Sequence, residues 1–222
     1  MIAENLNSVR ATLKDGVELV AVSKYHPVED LQEAYDAGQR VFGESHVQEM
    51  VAKHGVLPQD IKWHFIGHLQ TNKVKYVVPF VCLIHSVDSL RLLREIDKQA
   101  MKAGRVVDVL LQLHVAKEET KFGFSSDEVL ALLEGKEWRT MEGVRIVGLM
   151  AMATNTDNEG MIAEEFESVR VLFDVVKSRF FAEEPSFKEI SMGMSGDYQI
   201  AQEHGSTLVR IGSMIFGERN YG

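Results

Sequence analysis

Apolar positions along this chain switch repeatedly between two rhythms. Near the start, Ile2, Leu6, Val9 and Leu13 recur at helical spacing, and Gly16 is a stop signal before the continuous apolar run Leu19, Val20, Ala21, Val22, which reads as a buried strand. Residues 29–37 return to helical spacing through Leu31, Ala34 and Tyr35, with Gly38 placed as a left-handed cap. The exchange then repeats as strand 40–42, helix 44–53 closing near Gly55, and strand 61–66 closed by Gly67. A short helix capped by Thr71 and ended by Pro79 leads to strand 80–85, and helix 88–102 follows. Strand 106–115 is apolar almost throughout, as burial on both faces requires. Ser126 is placed to cap a helix that Gly135 stops, and strand 144–150 comes next. The most regular helical stripe is Ile162, Phe166, Val169, Phe173, Val176 and Phe180, entered through a capping-box pattern at Thr156-Asp157-Asn158-Glu159. Strand 188–192, helix 197–204 and strand 207–211 end the series.

Strands that alternate with helices imply a parallel sheet, and eight such units are the number that closes a (β/α)8 TIM-type barrel. No linker, composition break or low-complexity tract divides the 222 residues, so one α/β domain over 1–222 is expected, with an open doubly wound sheet as the structural competitor. The net charge of −9 argues against a general nucleic-acid or anionic-membrane surface, both of which need a basic face, while leaving room for a local basic pocket. Cys82 is the single cysteine, so neither an internal disulfide nor a cysteine metal cluster can form; it lies in the apolar run 81–84, where a core thiol is expected. The N-terminal stretch has acidic residues and no apolar segment of signal-peptide length, and no run approaches a membrane span. A cytoplasmic location is the expectation.

Three places carry candidate chemistry. Lys24 stands at the end of the first apolar strand, in AVSKYHP, where Pro27 stops the strand from continuing. A lysine there either snorkels to solvent or, held neutral, is the nucleophile that Schiff-base chemistry needs. After the seventh strand comes Ser191-Met192-Gly193-Met194-Ser195-Gly196, small and hydroxylated, and after the eighth comes Arg210-Ile211-Gly212-Ser213. In a barrel these two loops share the C-terminal rim with Lys24 and are the usual phosphate holders. His64 and His68 are four apart, but Gly67 intervenes, so a metal pair is not expected. Lys117 and Lys121 are interleaved with Glu118 and Glu119 and read as a solvated loop.

A Schiff-base lysine facing a phosphate cradle suggests pyridoxal 5'-phosphate (PLP). The chain resembles the YggS/PROSC family of PLP-binding proteins over nearly its whole length. The resemblance rests on AVSKYHP, on Phe42-Gly43-Glu44 with Val47-Gln48-Glu49, and on Trp63-His64-Phe65-Ile66-Gly67 with Leu69-Gln70 and Asn72-Lys73. Gly148-Leu149-Met150, ISMGMS, GSTLVRIGS and IFGERNY complete it. What it implies is a barrel like the N-terminal domain of alanine racemase, PLP held as an aldimine on Lys24, and a role in PLP supply and buffering. Arg210 would face the pyridine nitrogen, and Ser191, Ser195, Gly212 and Ser213 would lie near the phosphate. Family members often carry asparagine after FGE and proline at position 68; this chain has Ser45 and His68, so Ser45 is left out of the expected site.

An arginine beside the pyridine nitrogen opposes protonation there and weakens the electron sink, which suits holding better than turnover. A PLP homeostasis protein, with PLP-dependent apo-enzymes as candidate partners, is therefore the first expectation. A PLP-dependent amino-acid racemase is the alternative, and a class I aldolase a more distant one. Racemisation needs a second acid/base opposite Lys24; Tyr25 and His204 are the local candidates, and the chain end at Gly222 leaves no expected room for the extra β-domain that supplies a tyrosine in alanine racemases.

Overall fold

The computed structural model describes residues 1–117 and 122–218. Glu118, Glu119 and Lys121, and the Arg219 to Tyr221 end of the IFGERNY motif, lie outside the described residues. Eight parallel strands close into a barrel in chain order: β1 (Glu18–Val22), β2 (Val41–Glu44), β3 (Lys62–Phe65), β4 (Leu83–Val87), β5 (Val107–Gln112), β6 (Val144–Met150), β7 (Glu189–Ser191) and β8 (Leu208–Ile211), with β8 paired back to β1. The surrounding helices are α1 (Ile2–Arg10), α2 (Val28–Asp36), α3 (Val47–His54), α4 (Val74–Val77), α5 (Leu90–Lys102), α6 (Ser126–Glu134), α7 (Glu159–Phe180), α8 (Tyr198–Glu203) and α9 (Ser213–Phe216). The barrel expected from eight strand-helix units is the fold, and the open sheet is excluded by closure.

Strand alternation sorts the side chains into two cores. Leu19, Ala21, Phe42, Trp63, Phe65, Ile84 and Val209 face outward and pack with the helix stripes, including Ile162, Phe166, Val169 and Val176 of α7. Val20, Val41, Leu83, Leu110, Val147 and Leu208 fill the barrel interior. By the same alternation Val22, His64, His85, Ser191 and Arg210 point inward, which puts polar groups in the upper barrel.

Several local expectations shift. Glu44 ends β2 rather than starting a helix, because Gly43 and Glu44 continue the pairing with His64 and Phe65. The fourth strand begins at Leu83, not at residue 80: the amides of Phe80 and Val81 turn back to the Val77 carbonyl at 3.1 and 2.9 Å. The α6 capping box is built one residue earlier than expected, with Ser125 accepting from the Glu128 amide at 3.1 Å and Glu128 accepting from the Ser125 amide at 2.8 Å. Asn158, not Thr156, caps α7 by accepting from the Met161 amide at 3.1 Å. Thr71 opens a 3-10 turn, Thr71–Lys73, without capping it. Cys82 is exposed rather than a core thiol, because it lies just before β4 at the N-terminal mouth of the barrel. The 3-10 turn Glu137–Thr140 and the helix α9 had no counterpart in the sequence pattern. Among the described residues no helix is long and apolar enough to cross a membrane.

Candidate functional site

The C-terminal rim holds a cavity of about 290 Å³ lined by Val22, Lys24, His26, Ser45, Ile66, Met152, Met194, Ser195, Gly196, Arg210, Gly212 and Ser213. Lys24 reaches it from the turn that leaves β1 and is half-buried there. The next residue, Tyr25, has φ +66°, a left-handed conformation that costs a residue with a Cβ about 1–2 kcal/mol. That turn is tied down from β2 and α3. The Tyr25 amide donates to Glu49 Oε1 at 2.6 Å, Lys53 Nζ donates to the Ser23 carbonyl at 2.7 Å, and the Ser23 hydroxyl donates to Glu44 Oε1 at 2.6 Å.

Lys53 is the hub of these contacts, bonding Glu44 at 2.8 Å and Glu49 at 2.7 Å. Glu44 is fully buried, and burial pushes its carboxyl up to about 7 against the pull of Lys53 and Ser23. Its second oxygen, Oε2, has no partner among the described residues.

Arg210 enters from β8, where register with Val20 of β1 turns it inward beneath the cavity. It is 4% exposed, and its Nη1 donates to Ser191 Oγ at 2.5 Å while Nη2 donates to the Ala151 carbonyl at 3.0 Å. Burial lowers its pKa to about 10, offset by the nearby Asp197 carboxylate, so the guanidinium stays charged at neutral pH. Ser191 in turn meets His85 Nδ1 at 2.7 Å, and His85 Nε2 meets His64 Nδ1 at 3.0 Å. Burial drives His64 down to about 3 and His85 well below the ordinary histidine range, the latter with help from His64 and Arg210, so both rings are neutral. Because arginine only donates, Ser191 Oγ accepts from Arg210, which leaves its own hydroxyl proton available to His85 Nδ1.

The loops after β7 and β8 add Met194 and several small residues to the lining. Gly193, at φ +98°, turns the chain after β7, and Asp197 Oδ1 accepts the Met194 amide at 2.6 Å. Ser213 Oγ donates to Ser195 Oγ at 3.2 Å, which brings the two loops together. The amides of Ser195, Gly196, Gly212 and Ser213 find no acceptor among the described residues. Gly212 is required here: a Cβ would sit 2.9 Å from the Val22 carbonyl oxygen.

The structure thus brings Lys24, Ser195, Arg210, Gly212 and Ser213 to one cavity. Ser191 does not line it; it is buried one layer below, between Arg210 and His85. Ser45, left out of the expected site, does line it, pressed there by the loop at Gly67, where a Cβ would approach the Ser45 carbonyl oxygen to 2.5 Å. His26 also lines it, with Nδ1 turned to Asp30 at 3.4 Å. His68 pairs with Asp88 at 3.3 Å, apart from the buried His64. Tyr25 Oη faces His46 Nε2 at 3.4 Å, and His204 bonds Glu167 at 2.8 Å; neither lines the cavity. A larger cavity, about 510 Å³, opens at the opposite mouth of the barrel among Glu18, Asp108, Arg145 and Lys188, where Arg145 is already paired to Asp108 at 2.7 and 3.0 Å.

Sequence reasoning missed the two polar networks behind this cavity. The signal available was a charged or imidazole side chain inside an apolar strand, as at Glu44 and His85, which marks a buried polar group without naming its partner.

Comparison with known proteins places the chain. The family model described as alanine racemase, N-terminal domain, matches residues 1–220. The pyridoxal phosphate homeostasis protein of Aquifex aeolicus is 41% identical over 207 residues, 92% of this chain and 88% of that one. PipY of Synechococcus elongatus PCC7942 superposes with a TM-score of 0.92 without PLP and 0.89 with PLP bound, at 36% identity over 98% of this chain and 100% of that one. Alanine racemase of Clostridium difficile shares the fold alone, at 15% identity and a TM-score of 0.76 over 56% of its length.

Proposed function

The chain belongs to the family of pyridoxal phosphate homeostasis proteins, built on the alanine racemase N-terminal domain, and from that premise we propose that its rim cavity holds pyridoxal 5'-phosphate on Lys24 for intracellular supply rather than for turnover. One observation carries the reading: a primary amine, a buried guanidinium and four residues whose amides have no acceptor among the described residues line a single cavity of about 290 Å³, near the lower end of the ~300–1,000 Å³ usual for small-ligand sites. PLP supplies an aldehyde that condenses reversibly with a primary amine, releasing one water.

Each residue then has a task that its surroundings support. Lys24 is the amine. The amides and hydroxyls of Ser195, Gly196, Gly212 and Ser213 take the phosphate, since donors without a protein acceptor favour an anion. Arg210 donates toward the pyridine nitrogen and keeps it unprotonated, and Ser191 fixes Arg210 from below. Ser45 and His26 complete the wall. The reading against turnover rests on Arg210, whose charge opposes protonation of the pyridine nitrogen. A cytoplasmic holder that passes its cargo to PLP-dependent apo-enzymes fits a chain with a single cysteine and a net charge of −9.

Borohydride reduction followed by intact-mass measurement tests the assignment. Wild type should gain the mass of one reduced PLP, and Lys24→Ala should gain none while keeping its circular dichroism and melting temperature. A mass gain in Lys24→Ala would move the anchor elsewhere.

A further inference from the structure

The geometry points to Glu49 as a positioning residue that sets how readily the protein captures an aldehyde on Lys24, acting through the backbone of the turn and without touching the cavity. This rests on the reading of Lys24 as the amine. Lys24 sits between two residues that are both held from outside the barrel: Ser23, whose carbonyl takes Lys53 and whose hydroxyl bonds Glu44, and Tyr25, whose amide is taken by Glu49. Tyr25 is one of only two non-glycine residues at positive φ among the described residues, so the turn there is strained and persists only if its surroundings hold it. The hydrogen bond from the Tyr25 amide to Glu49 Oε1, at 2.6 Å, is the tie placed on the strained residue itself.

Glu49 is in turn fixed on three sides. It lies in the first turn of α3, its Oε1 also accepts from Lys53 at 2.7 Å, and its Oε2 lies 3.5 Å from His46 Nδ1. Lys53 is anchored by the buried Glu44 at 2.8 Å. The lysine-bearing turn is therefore indexed to the start of α3 through a rigid relay, Glu44 to Lys53 to Glu49 to the Tyr25 amide. Glu49 does not line the cavity, so its effect must pass through the direction in which Lys24 leaves the turn. The phosphate wall belongs to the loops after β7 and β8 and shares none of these bonds.

That separation gives the test a contrast. Pyridoxine 5'-phosphate has the same ring and phosphate but an alcohol in place of the aldehyde, so it engages the phosphate wall and cannot be captured by an amine. Glu49→Ala should weaken PLP binding about tenfold, roughly the loss of one charge-assisted hydrogen bond, and leave pyridoxine 5'-phosphate within about twofold. Glu49→Gln keeps an acceptor oxygen for the Tyr25 amide and should restore most of the PLP affinity. Glu49→Asp, which keeps the charge and shortens the reach by one methylene, serves if the alanine variant fails to fold, and should show the same selective loss. Equal weakening of both ligands, or no change in either, would overturn the positioning role. Failure of the Lys24 assignment is seen separately, as a borohydride mass gain that survives in Lys24→Ala.

Discussion

On the side of β7 and β8 the loops bring Ser195, Gly196, Gly212 and Ser213 to the cavity wall beside Met194, and Ser213 Oγ bonds Ser195 Oγ between the two neighbouring loops. On the side of β1 the wall is a turn whose shape depends on Glu44, Glu49 and Lys53, three charged side chains from β2 and α3. On the proposed reading the first kind of wall takes the phosphate with groups that cost little to keep in place, and its loss should be felt as affinity. The second keeps a charge cluster out of water to aim one amine, and its loss should be felt as stability first. Ser195 and Lys53 are the residues on which this contrast can be broken.

Lys53→Met carries the largest expected effect. It leaves the Glu44 carboxylate buried without its cation and the Ser23 carbonyl with the His26 amide as its remaining donor, a loss of about 3–5 kcal/mol for one half of a buried pair. Urea unfolding at pH 8 reads it. Adding Glu44→Gln to the same chain removes the stranded charge and should return most of the stability. If Lys53→Met unfolds with wild-type midpoint, the cluster is not what holds the turn, and the two walls do not differ in kind.

The pH dependence of stability distinguishes the Glu44 cluster from the histidines below Arg210. Glu44 has its folded pKa raised to about 7, so the folded state holds its proton more tightly than the unfolded chain does. Its contribution to stability therefore falls as pH rises from about 4.5 through 7, by about 3 kcal/mol at most. His64 has its folded pKa lowered to about 3, so its contribution is present above about 6.5 and is lost as pH falls toward 3, by roughly 5 kcal/mol at most. The two oppose one another between about pH 4.5 and 6.5. Melting temperatures measured across that range should therefore rise with pH in Glu44→Gln, where only the histidine slope is left, and fall with pH in His64→Gln, where only the Glu44 slope is left. A wild-type profile unchanged by either substitution would mean that neither group is desolvated as its burial implies.

The same contrast explains what could be read from the chain. That the loops after β7 and β8 meet at one cavity was legible because ISMGMS and VRIGS carry their glycines and serines in consecutive positions and the barrel order alone makes them neighbours. Lys24 was legible because one lysine ended an apolar run. The clamp on its turn was not, since Glu49 and Lys53 look like an ordinary solvated i,i+4 pair on α3 and Glu44 looks like a helix start. Only closure of the barrel beside α3 shows that Lys53 is buried and that Glu44 ends a strand. Ser191 fell on the wrong side of the same limit: it is next to the phosphate loop in sequence, but strand alternation turns it down toward Arg210 and His85. Cys82 was misread for a related reason, because an apolar run marks a buried strand without marking where that strand emerges at the barrel mouth.

Ser195→Ala carries the smallest expected effect. The substitution removes one hydroxyl from the phosphate wall and leaves every amide of the loop in place, together with Ser213 and Gly212. Among the described residues Ser195 Oγ accepts only the Ser213 hydroxyl, at 3.2 Å, so the melting temperature should not move. If the amides carry most of the phosphate grip, losing one hydroxyl costs about 1 kcal/mol, or roughly fivefold in affinity. The loss should be confined to phosphorylated ligands, with pyridoxal bound as in wild type, because pyridoxal lacks the phosphate that this hydroxyl is proposed to bind. Titration of wild type and variant with PLP and pyridoxal in parallel reads both terms. A hundredfold loss would mean that the hydroxyl, not the backbone, holds the anion; an equal loss for pyridoxal would mean that these loops do not hold the phosphate at all, and the division of the cavity into an anion wall and an amine wall would fall with them.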